Sequence, residues 1–157
     1  MNKKKIFIAV DTSKISNAKR IIRDTQTNKI KIGYKFGLEF FYSKEGRKFI
    51  SSLKNQIIFL DLKLNDIPNT IVSAMKSLKN LKISYLTVHL SSGISALKAL
   101  KKESKNIKIA GVTTLTSLNN KDLKEIGFNK KVNELIKYQV KLAKKAKLQE
   151  IQKPERK

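Results

Sequence analysis

At 157 residues, 40% hydrophobic and 30% charged, the chain has apolar material for one core and too little for two independent domains. It contains no cysteine, which excludes disulfide scaffolds, thiolate metal sites and cysteine nucleophiles. The net charge of +23 invites a polyanion partner, yet Arg20, Arg23, Arg47 and Arg156 are the only arginines against 31 lysines, so no bidentate stripe exists to grip phosphates or bases.

In chain order, the basic start leads into an apolar run at residues 6–10 that Asp11 breaks. That run is too short for a signal segment or a membrane span and predicts a strand. A helix is predicted over 14–24, a second strand over 30–37 and a helix over 44–53. The third strand, 57–62, precedes a helix over 69–78, and the fourth, 85–90, precedes one over 95–105. The fifth strand, 109–113, is followed by a turn around 119–127 and a helix over 131–147. Strand and helix in strict alternation predict a parallel sheet, and the weak apolar/polar alternation within the strands predicts that both faces are covered. Polar residues gather at the C-terminal ends of the runs: Asp11, Lys35, Asp61, Lys63, His89, and Thr113 to Ser117. In a (β/α) barrel that edge carries the active site.

The densest chemical signal is Asp61-Leu62-Lys63-Leu64-Asn65-Asp66-Ile67-Pro68-Asn69-Thr70. Residues two apart on a strand share a face, so Asp61 and Lys63 are expected side by side, with Leu60, Leu62 and Leu64 on the other face. Asp66 falls where it could cap the next helix, and Pro68 suits a first helical turn. Taken alone, an Asp-x-Lys of this kind is a surface ion pair beside an N-cap. His89, the sole histidine, reads as a strand-end residue and not a base. Tyr34, Phe36, Phe40 and Phe41 read as core and not as a base-stacking platform.

The whole string from Asp61 to Thr70 resembles the signature of the orotidine 5′-phosphate decarboxylase family. Further stretches resemble it in the same order: Ile8 to Asp11; Lys35 to Phe41 with Gly46; Val88-His89 with Gly93; and Gly111 to Ser117. Lys31-Ile32-Gly33 repeats the Lys-x-Gly pattern, but Lys35 is preferred because Leu38-Glu39-Phe40-Phe41 follows it. The resemblance implies a cytoplasmic, homodimeric (β/α)8 enzyme that converts orotidine 5′-phosphate to UMP and carbon dioxide without metal or organic cofactor. It implies Lys63 as proton donor to C6, Asp61 against the substrate carboxylate, and Lys35 as a second stabilising ammonium. Asp11 and Lys35 would contact ribose. Asp66, Ile67 and Thr70 would serve the neighbouring subunit's site, and Thr116 would lie by the pyrimidine. No membrane or specific nucleic-acid partner is implied.

The expected fold is thus α/β, a partial barrel of about five βα units where a closed one has eight in ~250 residues. Residues 1–148 are read as a truncated barrel domain and 149–157 as a polar tail foreign to the family, with no strand. The family's glutamine and phosphate-binding arginine lie on loops after strands seven and eight, so activity is expected to be impaired, as in a frameshifted or prematurely ended chain. The alternative readings are an inactive fragment, a Mg²⁺-dependent sugar-phosphate enzyme of the same barrel type, or a basic polyanion- or nucleic-acid-binding protein.

Overall fold

The computed structural model describes residues 5–152. Their strands are β1 Lys5–Ala9, β2 Lys31–Gly37, β3 Ile57–Leu64, β4 Tyr85–His89, β5 Lys108–Val112 and β6 Glu150–Gln152. The helices are α1 Ile15–Thr25, α2 Leu38–Tyr42, α3 Gly46–Ser52, α4 Pro68–Ser77, α5 Gly93–Glu103, α6 Asn120–Glu125 and α7 Val132–Lys145. The sheet runs β1-β2-β3-β4-β5-β6 in chain order, and the pairings of β1 with β2, β2 with β3 and β5 with β6 are parallel. This is the α/β order of part of a (β/α)8 barrel. Among the described residues no helix is long and apolar enough to cross a membrane.

The chain divides into two compact units, Met1–Leu62 with Ser77–Leu86, and Lys63–Lys76 with Thr87–Lys157. In the first, the register sets Ile8 beside Tyr34 and Tyr34 beside Ile58. Side chains two apart share a face, so Tyr34, Phe36, Ile58 and Leu60 form one buried face, each at most 1% exposed. Helix α1 covers part of it with Ala18 and Ile22, one helical turn apart and both buried. The Tyr34 hydroxyl donates to the Ile22 carbonyl at 3.1 Å, which satisfies the one polar group in this layer. Phe36 packs on Phe40 with centroids 4.9 Å apart. The four aromatics read as core are core: Tyr34, Phe36, Phe40 and Phe41 are all buried. The sequence predicted no helix at Leu38. One forms there because Phe40 and Phe41 must both turn inward, and α3 can follow closely only because Gly46 lacks a side chain, a Cβ there falling 1.7 Å from the Phe40 carbonyl oxygen.

The opposite face of the same strands carries Phe7, Phe59 and Tyr85. Phe7 meets Phe59 edge-on at 5.2 Å and Tyr85 at 5.0 Å, a geometry favoured by the ring quadrupoles. Lys5 Nζ donates to the Tyr85 hydroxyl at 3.0 Å. Gly33, opposite Phe7 in the ladder, leaves room for its ring: a Cβ at Gly33 would lie 2.6 Å from it.

In the second unit α5 buries Ala96, Leu97 and Leu100, β5 buries Ile109, Ala110 and Val112, and Ala143 and Ala146 are buried at the end of α7. Asn119 and Asp122 form a reciprocal cap on α6, each side chain accepting from the other's amide. The tail expected to hold no strand contains β6, with Val112 opposite Gln152. Its backbone accepts both the Thr113 amide and the Thr113 hydroxyl at 3.3 Å on the Gln152 carbonyl. The Gln149 side chain prolongs the ladder by accepting from the Ile109 amide at 3.2 Å. Ladder bonds come from the main chain, so a strand of two exposed polar residues around half-buried Ile151 leaves no apolar signature.

Replacing Gly33 with alanine is expected to lower unfolding free energy by about 1–3 kcal/mol, because the Phe7 ring is held by Phe59 and Tyr85 and cannot withdraw freely. Urea unfolding measures this, and the Phe7→Leu background should recover part of the loss.

Candidate active site

Lys35 lies opposite Phe59 in the β2–β3 ladder and Gly37 lies opposite Asp61. Lys35 and Asp61 therefore sit on one face, diagonal to each other, within reach of a long side chain. The Lys35 ammonium reaches Asp61 Oδ2 at 3.0 Å, with Asp61 only 3% exposed and Lys35 28%. Lys31, the competing lysine, sits exposed at the far end of β2. The Val10 amide donates to the Lys35 carbonyl at 2.8 Å, carrying the β1–β2 ladder one residue past β1. Asp11 follows, exposed, at the same edge as Lys35.

Lys63 belongs to the second unit and departs from the expected regular strand. Its φ is +48°, in the left-handed region, which costs a residue with a Cβ about 1–2 kcal/mol. The two-residue alternation that buries Leu60 and Leu62 ends here. The Lys63 amide donates to Thr87 Oγ1 at 2.7 Å, and Thr87 is fully buried. Two residues on, the Asn65 side-chain oxygen accepts from Ser92 at 2.9 Å and from Ser91 at 3.4 Å.

Asp66 is exposed, and its carboxylate accepts from the Ile67 amide at 2.7 Å, one residue ahead of α4. An exposed carboxylate is solvated by water, unlike the buried Asp61 carboxylate that the Lys35 ammonium meets. Pro68 opens α4 as the sequence predicted. Ile67 is 65% exposed and Thr70 is exposed on the first turn. Thr116 is exposed beyond β5, whereas Thr113 and Thr114 are buried, Thr114 donating through its amide and hydroxyl to the Gln139 side chain. His89 is half-buried at the end of β4. Thr87, Asn65 and Ser92 were not singled out from the sequence. The one signal available was a threonine inside the apolar run Tyr85-Leu86-Thr87-Val88.

Removing one partner of a buried ion pair leaves the other charge desolvated, at about 3–5 kcal/mol when both are buried. Because Lys35 is partly open to water, Lys35→Met is expected to cost about 2 kcal/mol in urea unfolding. The double variant Lys35→Met/Asp61→Leu should recover most of it, and a single-variant cost near zero would show that the pair carries no such constraint.

Residues 4–155 match the family described as orotidine 5′-phosphate decarboxylase / HUMPS. The chain is 36% identical over 152 residues to the orotidine 5′-phosphate decarboxylase of Carboxydothermus hydrogenoformans, covering 90% of this chain and 62% of that protein. It is 39% identical over 146 residues to the enzyme of the same name from the Wolbachia of Brugia malayi, covering 89% and 63%. The crystal structure of orotidine 5′-phosphate decarboxylase from Lactobacillus acidophilus superposes with a TM-score of 0.85 at 28% identity, covering 94% of this chain and 70% of that one. The chain thus spans a little under two thirds of the length of these curated relatives. The matched region reaches into the polar tail and includes β6. On this match over nearly all of its residues, the chain belongs to the orotidine 5′-phosphate decarboxylase / HUMPS family.

Proposed function

We propose that the chain acts in the decarboxylation of orotidine 5′-phosphate to UMP, in the cytoplasm and as a homodimer, with Lys63 as the proton donor. The observation that carries the reading is the buried Asp61 carboxylate held by the Lys35 ammonium at 3.0 Å, two residues before Lys63 on β3. Relatives whose match spans this segment are named for that reaction. In the step itself the bond from C6 to the carboxyl carbon breaks, the electron pair stays on C6, and carbon dioxide leaves. The Lys63 ammonium gives its proton to C6, and the amine regains one from water. Positive charge fixed beside C6 before reaction stabilises the carbanion without reorganisation, the form of electrostatic help with the largest effect.

Asp61 sits against the substrate carboxylate and disfavours its retention, and Lys35 keeps Asp61 ionised while contacting ribose together with Asp11. Thr116 lies by the pyrimidine. The exposure of Asp66, Ile67 and Thr70 suits a surface at the start of α4 offered to a second copy of the chain, whose site they complete. The roles assigned to Lys35 and Lys63 call for ammonium groups and for no metal, which separates the reading from a Mg²⁺-dependent barrel enzyme.

Release of labelled carbon dioxide from carboxyl-labelled orotidine 5′-phosphate is expected to survive excess chelator and to fall about 10³-fold in Lys63→Ala, within the range for loss of a general acid. Release that ignores Lys63→Ala, or a chain showing neither release nor thermal stabilisation by UMP, would reject the proposal.

A further inference from the structure

Five residues with a side chain have positive φ among the described residues: Asn55, Lys63, Lys82, Lys105 and Lys147. Asn55, Lys82, Lys105 and Lys147 are exposed and lie in the turns that lead from a helix into the next strand. A left-handed residue is ordinary there, since it ends the helix. Lys63 differs on both counts, lying inside β3 and half-buried. A strand continues most cheaply in the extended region, so a left-handed residue within it persists only where its surroundings hold it.

Two hydrogen bonds hold it. The Lys63 amide donates to Thr87 Oγ1 at 2.7 Å, and Thr87 is 0% exposed within β4. A second tie follows at once, from Ser92 to Asn65 at 2.9 Å. Val88 and Leu86, on either side of Thr87, are equally buried but have no hydroxyl. A valine at position 87 would fill the same space and leave the Lys63 amide without this acceptor.

We propose that Thr87 is a positioning residue for Lys63. Its hydroxyl fixes the left-handed backbone of Lys63, and that backbone sets the direction in which the ammonium leaves the strand. The role rests on Lys63 being the proton donor, but its test needs no turnover, so the two readings can fail separately.

The test is a thermal-unfolding cycle on the full chain. Glycine adopts positive φ without a steric penalty, so Lys63→Gly relieves the strain only while the strain is imposed. The change in Tm caused by Lys63→Gly is expected to be about 3 °C more favourable with Thr87 than with Thr87→Val. Lysine ¹³C-dimethylation adds a direct probe: the resonance absent in Lys63→Arg should shift in Thr87→Val and return to its place in Thr87→Ser. If Thr87→Val does not fold, Thr87→Ala replaces it in both measurements. An equal effect of Lys63→Gly in both backgrounds, or a Lys63 resonance indifferent to the hydroxyl, would show Thr87 to be packing alone and overturn the proposal.

Discussion

The contact between Lys35 and Asp61 constrains how β2 and β3 pair and which way their side chains face. A carboxylate 3% exposed stays charged only beside a compensating group, so β2 and β3 must meet in the one register that brings the ammonium to it. That register sets Lys35 opposite Phe59. A slip of one residue would exchange Lys35 for Tyr34 or Phe36 and turn the charge into the helix-covered core. The face assignment of every residue in the first unit follows from the same choice: Tyr34, Phe36, Ile58 and Leu60 towards the helices, Phe7, Gly33, Lys35, Phe59 and Asp61 away from them.

On that second face the residues form tiers. Lys5 and Tyr85 lie lowest, the rings of Phe7 and Phe59 above them, and the ion pair at the C-terminal ends of the strands. The pair is sheltered on its Asp61 side, where the carboxylate is buried, and a charge attraction is stronger there than in water. Gly33 belongs to this arrangement although it carries no chemistry. A Cβ there would fall on the Phe7 ring and displace it from its contacts with Phe59 and Tyr85.

The strand and helix order was legible in the sequence because it depends on runs of apolar residues, and Lys35, preferred there over Lys31, is the one that meets Asp61. Three features were not. Strand β6 is held by main-chain bonds between polar residues, which leave no pattern. The left-handed turn at Lys63 depends on the sign of a torsion that lysine does not advertise, unlike glycine. Thr87 is a β-branched residue in a strand of its kind, so its buried hydroxyl reads as ordinary strand composition until the amide it accepts is seen.

The placement of the lysines bears on what the charge of +23 does. Lys82, Lys105 and Lys147 occupy left-handed, exposed positions just ahead of a strand, where glycine or asparagine is the commoner choice. Lysine there accepts a modest backbone strain and adds charge at the N-terminal ends of the strands, the edge away from the catalytic end in barrels of this type. At the C-terminal ends of β2 and β3 the balance is different, since the Lys35 ammonium there is matched by the Asp61 carboxylate at 3.0 Å. Under the proposed function, an anionic substrate would be met by a few specifically placed ammonium groups and not by the overall field of the chain. On that view the excess of lysine belongs to the solvated scaffold, apart from two lysines held in place, Lys35 by a carboxylate and the Lys63 backbone by a hydroxyl.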